Sequence, residues 1–334
     1  MLNCQGVEFM MNTISYKYSN ECGLKHITDH FNETAERLQL LDGKTEIYVP
    51  DPQRTSHGGI ISRVSGFYFK RPPRRPTFNI SSFSCYTDVL WASEWFRPEN
   101  LSSHDTKPGV SLLHYLTRKT VKSAKILALW TEDMKKLCKE AYPDKEVTLL
   151  RIPICDAYSF NEHEYVRKDV VQTMIVGGLN DKRLMMFDFP ELYRRAFPEH
   201  ELEIIRVAFP NRERERKFVD LCNRYGIKVT YYTNISEKKL CALYNSVDFY
   251  TYLSTDEGFS MTPGEALKSG CPVLINHIPP HDENYGNNNG VVWFDNTPEC
   301  INRAYELGHR KYWNETYTWE DAVKMAASLC ESVS

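Results

Sequence analysis

The sequence predicts an α/β protein built from two Rossmann-like domains with a cleft between them. Three observations lead there. Short apolar runs alternate with amphipathic helical stretches, the alternation breaks and restarts once, and 334 residues suit about two domains of roughly 150 residues each. Strand, helix and strand in that order build a parallel crossover unit.

In the first half TISYKYS reads as a strand. LKHITDHFNETAERLQLL reads as a helix, with Leu24, Ile27, Phe31, Ala35, Leu38 and Leu41 at helical spacing. TEIYVP is the next strand. FKRPPRRP, Phe69 to Pro76, interrupts the rhythm as a basic, Pro-rich loop. AKILAL then gives a strand, TEDMKKLCKEAY a helix opening at Thr131, and VTLLRIPI the strand that ends this half. The polar, aperiodic CDAYSFNEHEYVRKD, Cys155 to Asp169, reads as an interdomain linker.

After it the pattern restarts. VVQTMIVGG, LEIIRVAF, IKVTYYT, VDFYTYLS, CPVLIN and GVVWFD read as strands. FPELYRRAF, RERERKFVDLCNRYG, EKKLCALYNS and TPGEALKSG read as the helices among them. The expected boundaries are a first domain over 1–158 and a second over 168–316. A C-terminal helix in 317–334 is expected to pack back on the first domain.

Composition narrows the function. A net charge of -3 argues against a nucleic-acid binder, which carries a basic excess. The 10 cysteines include no C-x-x-C pair, so neither a zinc ribbon nor a thioredoxin-like site is signalled, and reduced, buried thiols are expected. MLNCQGVEFMMN lacks the basic and apolar regions of a signal peptide, and no segment reaches membrane-span length. The expected location is cytoplasmic or cytosol-facing. FKRPPRRP offers positive charge to an anionic membrane surface or an acidic glycan, the peripheral contact this chain could make, against the ordinary reading of a solvated loop.

The informative stretch is TDEGFSMTPGEALKSGCPVL, Thr255 to Leu274, with Glu257 and Glu265 on either side of Pro263. Ligands of open parallel sheets gather at the carboxyl ends of strands, where helix N-termini point unpaired N–H groups outward. A helix starting near Thr262 after the strand VDFYTYLS suits an anion such as a diphosphate. Gly258 lets backbone approach the ligand. The structural alternative is a capping box, Thr262-Pro263-Gly264-Glu265, in which Glu265 bonds back to the Thr262 N–H.

The longer pattern Ser254, Glu257-Gly258-Phe259, Pro263, Glu265-Ala266, Ser269-Gly270 and Pro272-Val273 resembles the nucleotide-sugar segment of the "glycosyl transferases group 1" family, retaining enzymes of the GT-B fold. The resemblance implies that Glu257 contacts donor-sugar hydroxyls at the reaction centre and that Glu265 holds the ribose hydroxyls. Backbone across Gly258, Phe259, Ser260, Met261 and Thr262 would hold sugar and phosphate. A carboxylate suits a vicinal diol, because its two oxygens accept from both hydroxyls.

IVGGLNDKR, Ile175 to Arg183, resembles the first strand and phosphate loop of the family's donor domain. Gly177 and Gly178 would border the donor. Gly178 stands where the family has an Arg, a departure that puts part of the phosphate grip in doubt. Arg183 takes the family's Lys position with Lys182 beside it, and both are implied as catalytic cations; the bland reading is a solvated pair. NECGLKHITDHF resembles the Gly-containing loop near donor phosphates and acceptor, with Gly23 the matching position.

His26 and His30 lie one helical turn apart, but no third ligand is evident and no D-x-D occurs, so no metal and no other cofactor is expected. The implied partners are a nucleotide-diphosphate sugar and a glycan or glycoconjugate acceptor. The implied reaction is retaining sugar transfer. An epimerase or hydrolase of the same fold, or a non-catalytic nucleotide-sugar binder, stands as the alternative. A dinucleotide-dependent dehydrogenase is disfavoured, because no G-x-G-x-x-G follows a strand.

Overall fold

A computed structural model describes residues 10–18, 23–49, 77–80, 87–92, 108–162, 165–166, 168–177, 186–208, 213–314 and 316–334. In chain order these give β1 (Met11–Tyr18), α1 (Gly23–Arg37), β2 (Leu41–Val49), β3 (Thr77–Ile80), β4 (Val89–Ala92), α2 (Pro108–Ser123), β5 (Ile126–Leu129), α3 (Glu132–Ala141) and β6 (Glu146–Leu149). There follow β7 (Val170–Val176), α4 (Phe189–Ala196), β8 (Glu201–Val207), α5 (Glu213–Arg224), β9 (Ile227–Tyr232), α6 (Glu237–Tyr244) and β10 (Phe249–Tyr252). The chain ends with α7 (Met261–Lys268), β11 (Val273–Ile275), α8 (Pro279–Tyr285), β12 (Val291–Trp293), α9 (Pro298–Leu307) and α10 (Trp319–Ser332). They divide into two compact units, Met1–Pro153 with Tyr317–Ser334, and Ile154–Thr316.

The first unit is a parallel sheet in the order β2-β1-β3-β4-β5-β6. Helix α1 buries Ile27, Phe31 and Ala35, with Phe31 stacked on Phe78 of β3 at 4.8 Å. Burying such side chains stabilises by about 1.5–3 kcal/mol for each large one. Thr131 caps α3 by accepting from the Met134 N–H. Helix α10 packs on α1, β3 and β4, placing Trp319 near Trp91 and His30. Its start is a capping box between Thr318 and Asp321, and Arg37 pairs with Glu320 at 2.7 Å. β3, β4 and α2 lie in a stretch without a clear apolar rhythm. The two strands are four residues long and buried on both faces, so they show no alternation. FKRPPRRP lies outside the described residues.

The second unit is a parallel sheet in the order β12-β11-β10-β7-β8-β9. Chain order runs outward from β7 through β8 and β9 on one side, and from β10 through β11 and β12 on the other. The strand order therefore reverses between β7 and β10, which pair through Phe249↔Thr173 and Tyr250↔Met174. Thr173 cements that junction, donating to the Phe249 carbonyl at 3.0 Å and meeting the Thr251 hydroxyl at 2.8 Å. Phe189, Tyr193, Phe218, Phe249 and Leu274 centre the core.

The segment after Cys155 is not a free linker. It straps onto the second unit. Asn161 N–H donates to Asn245 Oδ1 at 3.0 Å, the Tyr165 hydroxyl donates to Asp248 at 2.6 Å, and Tyr158 is buried. Phe160 lies against Gly270, whose φ of +78° favours glycine and where a Cβ would overlap the Phe160 ring. Polar composition hid this, because the strap is held by side-chain hydrogen bonds as much as by apolar burial. The described cysteines, among them Cys138, Cys222, Cys271 and Cys330, are buried thiols. No helix among the described residues is long and apolar enough to cross a membrane.

Candidate functional site

The site is built at the carboxyl end of β10. Alternation along the strand sends Tyr250 and Tyr252 to one face, stacked at 6.1 Å, and Tyr244 of α6 meets Tyr250 edge-on at 5.4 Å. Each hydroxyl addresses the segment that follows. Tyr252 donates to Glu257 Oε1 at 2.6 Å, Tyr250 to Thr262 Oγ1 at 2.8 Å, and Tyr244 to Glu265 Oε2 at 3.4 Å. Burial pushes Tyr244 and Tyr250 well above the ordinary phenol range, Glu265 adding to both. They remain protonated donors.

Glu257 receives a second donor on the same oxygen, the buried Ser254 hydroxyl at 2.7 Å. Two O–H donors on one oxygen orient the carboxylate. Glu265 is buried within α7, 7% exposed.

The capping-box reading of Thr262 and Glu265 is corrected by the helix boundary. α7 begins at Met261 and its N-cap is Ser260, so Thr262 is the second helical residue and its hydroxyl serves Tyr250 instead. Ser260 sits at φ 66° and ψ 74°, the left-handed region, and makes no side-chain cap bond. That conformation is unfavourable for a residue with a Cβ.

What holds it there is α8. The Ser260 hydroxyl lies 2.8 Å from His281 Nε2, and His281 Nδ1 lies 2.9 Å from the Asn276 carbonyl. A carbonyl only accepts, so Nδ1 carries the proton, Nε2 is the acceptor and Ser260 donates. Burial pushes His281 down to about 4, which keeps the ring neutral. From the same helix the Tyr285 hydroxyl donates to the Ser260 carbonyl, and Asn284 donates to the Phe259 carbonyl at 3.1 Å. Three side chains of α8 thus fix Phe259 and Ser260.

On the neighbouring strand, Gly177 follows β7 with φ +95° and donates its N–H to the Val207 carbonyl at 3.1 Å. Glu257, Glu265, Gly258, Phe259, Ser260, Met261 and Thr262 therefore share one loop and helix start, with Gly177 beside them at the strand reversal. Gly23 opens α1 in the other unit. Gly178, Lys182 and Arg183 lie outside the described residues. Sequence reasoning missed Tyr252, His281, Asn284 and Tyr285. A tyrosine five residues before a glutamate carries no motif, and IPPHDENY has no helical apolar period to mark it.

Residues 170–307 match the family model described as Glycosyl transferases group 1. The chain carries a glycosyl transferases group 1 domain. Both glutamates and the whole of α7 and α8 lie inside that group 1 domain. No curated protein matches the chain in sequence. Among solved structures, WaaG, a glycosyltransferase involved in lipopolysaccharide biosynthesis, is similar with a TM-score of 0.61 at 15% identity, over 97% of this chain and 94% of that one. Sucrose-phosphate synthase from Thermosynechococcus elongatus is similar at 0.60 and 12% identity, over 97% and 94%. HepE from Anabaena, solved with UDP and glucose, is similar at 0.59 and 11% identity, over 97% of each chain. At these identities the likeness is one of fold, the GT-B type of two Rossmann-like units.

Proposed function

We propose that the protein transfers a sugar, with retention of anomeric configuration, from a nucleoside-diphosphate donor to a hydroxyl of a glycan or glycoconjugate. One observation carries the reading. The strand reversal between β7 and β10, where open α/β sheets take their ligands, is bordered by Gly177 on one side. On the other stands a carboxylate, Glu257, held by Tyr252 and Ser254. HepE, a structure of similar fold, was solved with UDP and glucose, which supports a nucleotide sugar as the donor class.

In this reading Glu257 orients the donor sugar near its reacting carbon, where correct placement lowers the barrier. Glu265 takes the ribose hydroxyls. The diphosphate lies toward the first turn of α7, whose leading N–H groups have no intrahelical acceptor and whose dipole places about half a positive charge there. Negative charge grows on the departing phosphate in the transition state, so dipoles fixed beforehand stabilise it without reorganising. Lys182 and Arg183 are proposed to add full positive charges, and Gly23 is proposed as a further donor-binding position. No metal or other cofactor enters this scheme, and a cytosol-facing location is proposed with it.

Turnover of UDP-, GDP- and ADP-sugars with and without oligosaccharide acceptors tests the assignment. The expected result is acceptor-dependent consumption of one donor, reduced about 100-fold or more in Glu257→Gln, as for loss of a transition-state contact. Equal consumption without acceptor would instead favour the hydrolase or epimerase reading. Glu257→Gln turning over at the wild-type rate would remove the site from the reaction.

A further inference from the structure

Arg206, near the end of β8, is one of the largest fully buried side chains of the second unit, and its charge is matched by an equally buried Glu215 on α5. Its Nη2 lies 2.7 Å from Glu215 Oε1 and Nε lies 3.4 Å from Oε2. The remaining contacts turn the other way, toward β7. Nη1 donates to the Ile175 carbonyl at 3.2 Å and Nη2 to the Gly177 carbonyl at 2.7 Å. Tyr231 of β9 donates to Glu215 Oε2 at 2.9 Å and closes the cluster.

A buried ion pair is weak evidence for stability, because desolvating both charges offsets most of their attraction. The geometry gives this one another task. The register of β7 with β8 ends at Val176↔Val207, and the chain there turns through Gly177 at φ +95°. A Cβ on Gly177 would meet nothing within 4 Å, so glycine is required by the turn rather than by crowding. Arg206 spans that turn with a planar fork whose donors cannot move independently. It fixes two carbonyls on one edge of the exit from β7, while the Gly177 N–H is fixed from Val207.

We infer that Arg206, held by Glu215, is a positioning residue that sets the β7 exit at Gly177 against the donor's diphosphate. The inference rests on the donor-site reading above. Arg206 touches no reacting atom. It aims the backbone that borders the phosphates, so its loss weakens binding of the diphosphate while leaving recognition of the nucleoside by Glu265 intact.

The experiment uses the full chain and whichever of UDP, GDP or ADP binds the wild type best by titration calorimetry, together with the matching nucleoside. Arg206→Met/Glu215→Gln removes the pair without leaving a buried charge and keeps an acceptor for Tyr231. Its diphosphate affinity is expected to fall about 10-fold, the scale of one good charge-assisted hydrogen bond, with nucleoside affinity changed less than about 2-fold. Arg206→Lys, which keeps the charge opposite Glu215 but not the fork, is expected to fall in between. A lower melting temperature with an unchanged ratio of diphosphate to nucleoside affinity assigns the pair to stability and overturns the proposal, as does failure of both variants to fold. Variants that bind both ligands as wild type overturn it and leave the donor site standing. If none of the three diphosphates binds the wild type, the donor-site reading itself falls.

Discussion

Tyr252 donates its hydroxyl to Glu257 Oε1 at 2.6 Å, from the last residue of β10 across the turn to the loop that follows. A rigid strand thereby aims a carboxylate that sits on a loop. Tyr252→Phe keeps the ring stacked on Tyr250 and removes only the donor. Hydrogen bonds to charged groups contribute about 1.5–3 kcal/mol, so kcat/KM should fall roughly 10- to 100-fold with the melting temperature nearly unchanged. Steady-state kinetics beside a thermal melt check this. An unchanged kcat/KM means that the Tyr252 hydroxyl does not orient Glu257 for the reaction.

Ser260 gives a prediction with an internal control. Both Ser260→Ala and Ser260→Gly lose the bond to His281 and leave a buried ring nitrogen unpaired, at about 1–3 kcal/mol. Only alanine also retains a Cβ at φ 66°. Ser260→Gly should therefore be more stable than Ser260→Ala by about 1 kcal/mol, read from urea unfolding of the two variants. The reverse order would mean that the left-handed turn is not present in solution.

Stability should fall on acidification. His281 and His309, both in the second unit, are pushed down to about 4 by burial, against about 6.5 in an unfolded chain. Between those values the unfolded state binds more protons, so stability rises with pH from 4 to 6.5 and is level above. By pH 5 the loss is on the order of 2 kcal/mol for each histidine. Urea midpoints measured from pH 5 to 7.5 should show it, and His281→Phe should flatten part of the slope.

Gly270 tests the strap. Gly270→Ala places a Cβ at φ +78° and into the Phe160 ring, so it should destabilise by about 2 kcal/mol or more. Gly270→Ala/Phe160→Leu should recover the part due to the clash but not the part due to the turn.

The fold was legible where a face or a motif was periodic. Helix α1, with Ile27, Phe31 and Ala35 at helical spacing, and the strands of the second unit stood out. β3 and β4 did not, because four buried residues leave no alternation to read. The segment from Ser254 to Val273 could be placed because its residues hold fixed spacings around a strand end and a helix start. Its supports could not. Tyr252 works through a cross-turn contact, His281 through a helix that Pro279-Pro280 and three polar residues disguise, and Arg206 through partners on two other elements. The apparent capping box shows the opposite hazard, a local pattern whose residues were engaged by Tyr250 and Tyr244 from outside it.

The claim that Glu257 and Glu265 hold the two ends of one donor is met most directly at the ribose. Titration calorimetry would compare the best-bound nucleoside diphosphate with its 2′-deoxy analogue, on the wild type and on Glu265→Ala. The wild type is expected to prefer the ribose form by about 10-fold, a charged hydrogen bond's worth, and Glu265→Ala to bind both forms equally. A Glu265→Ala protein that keeps the wild-type preference would contradict it.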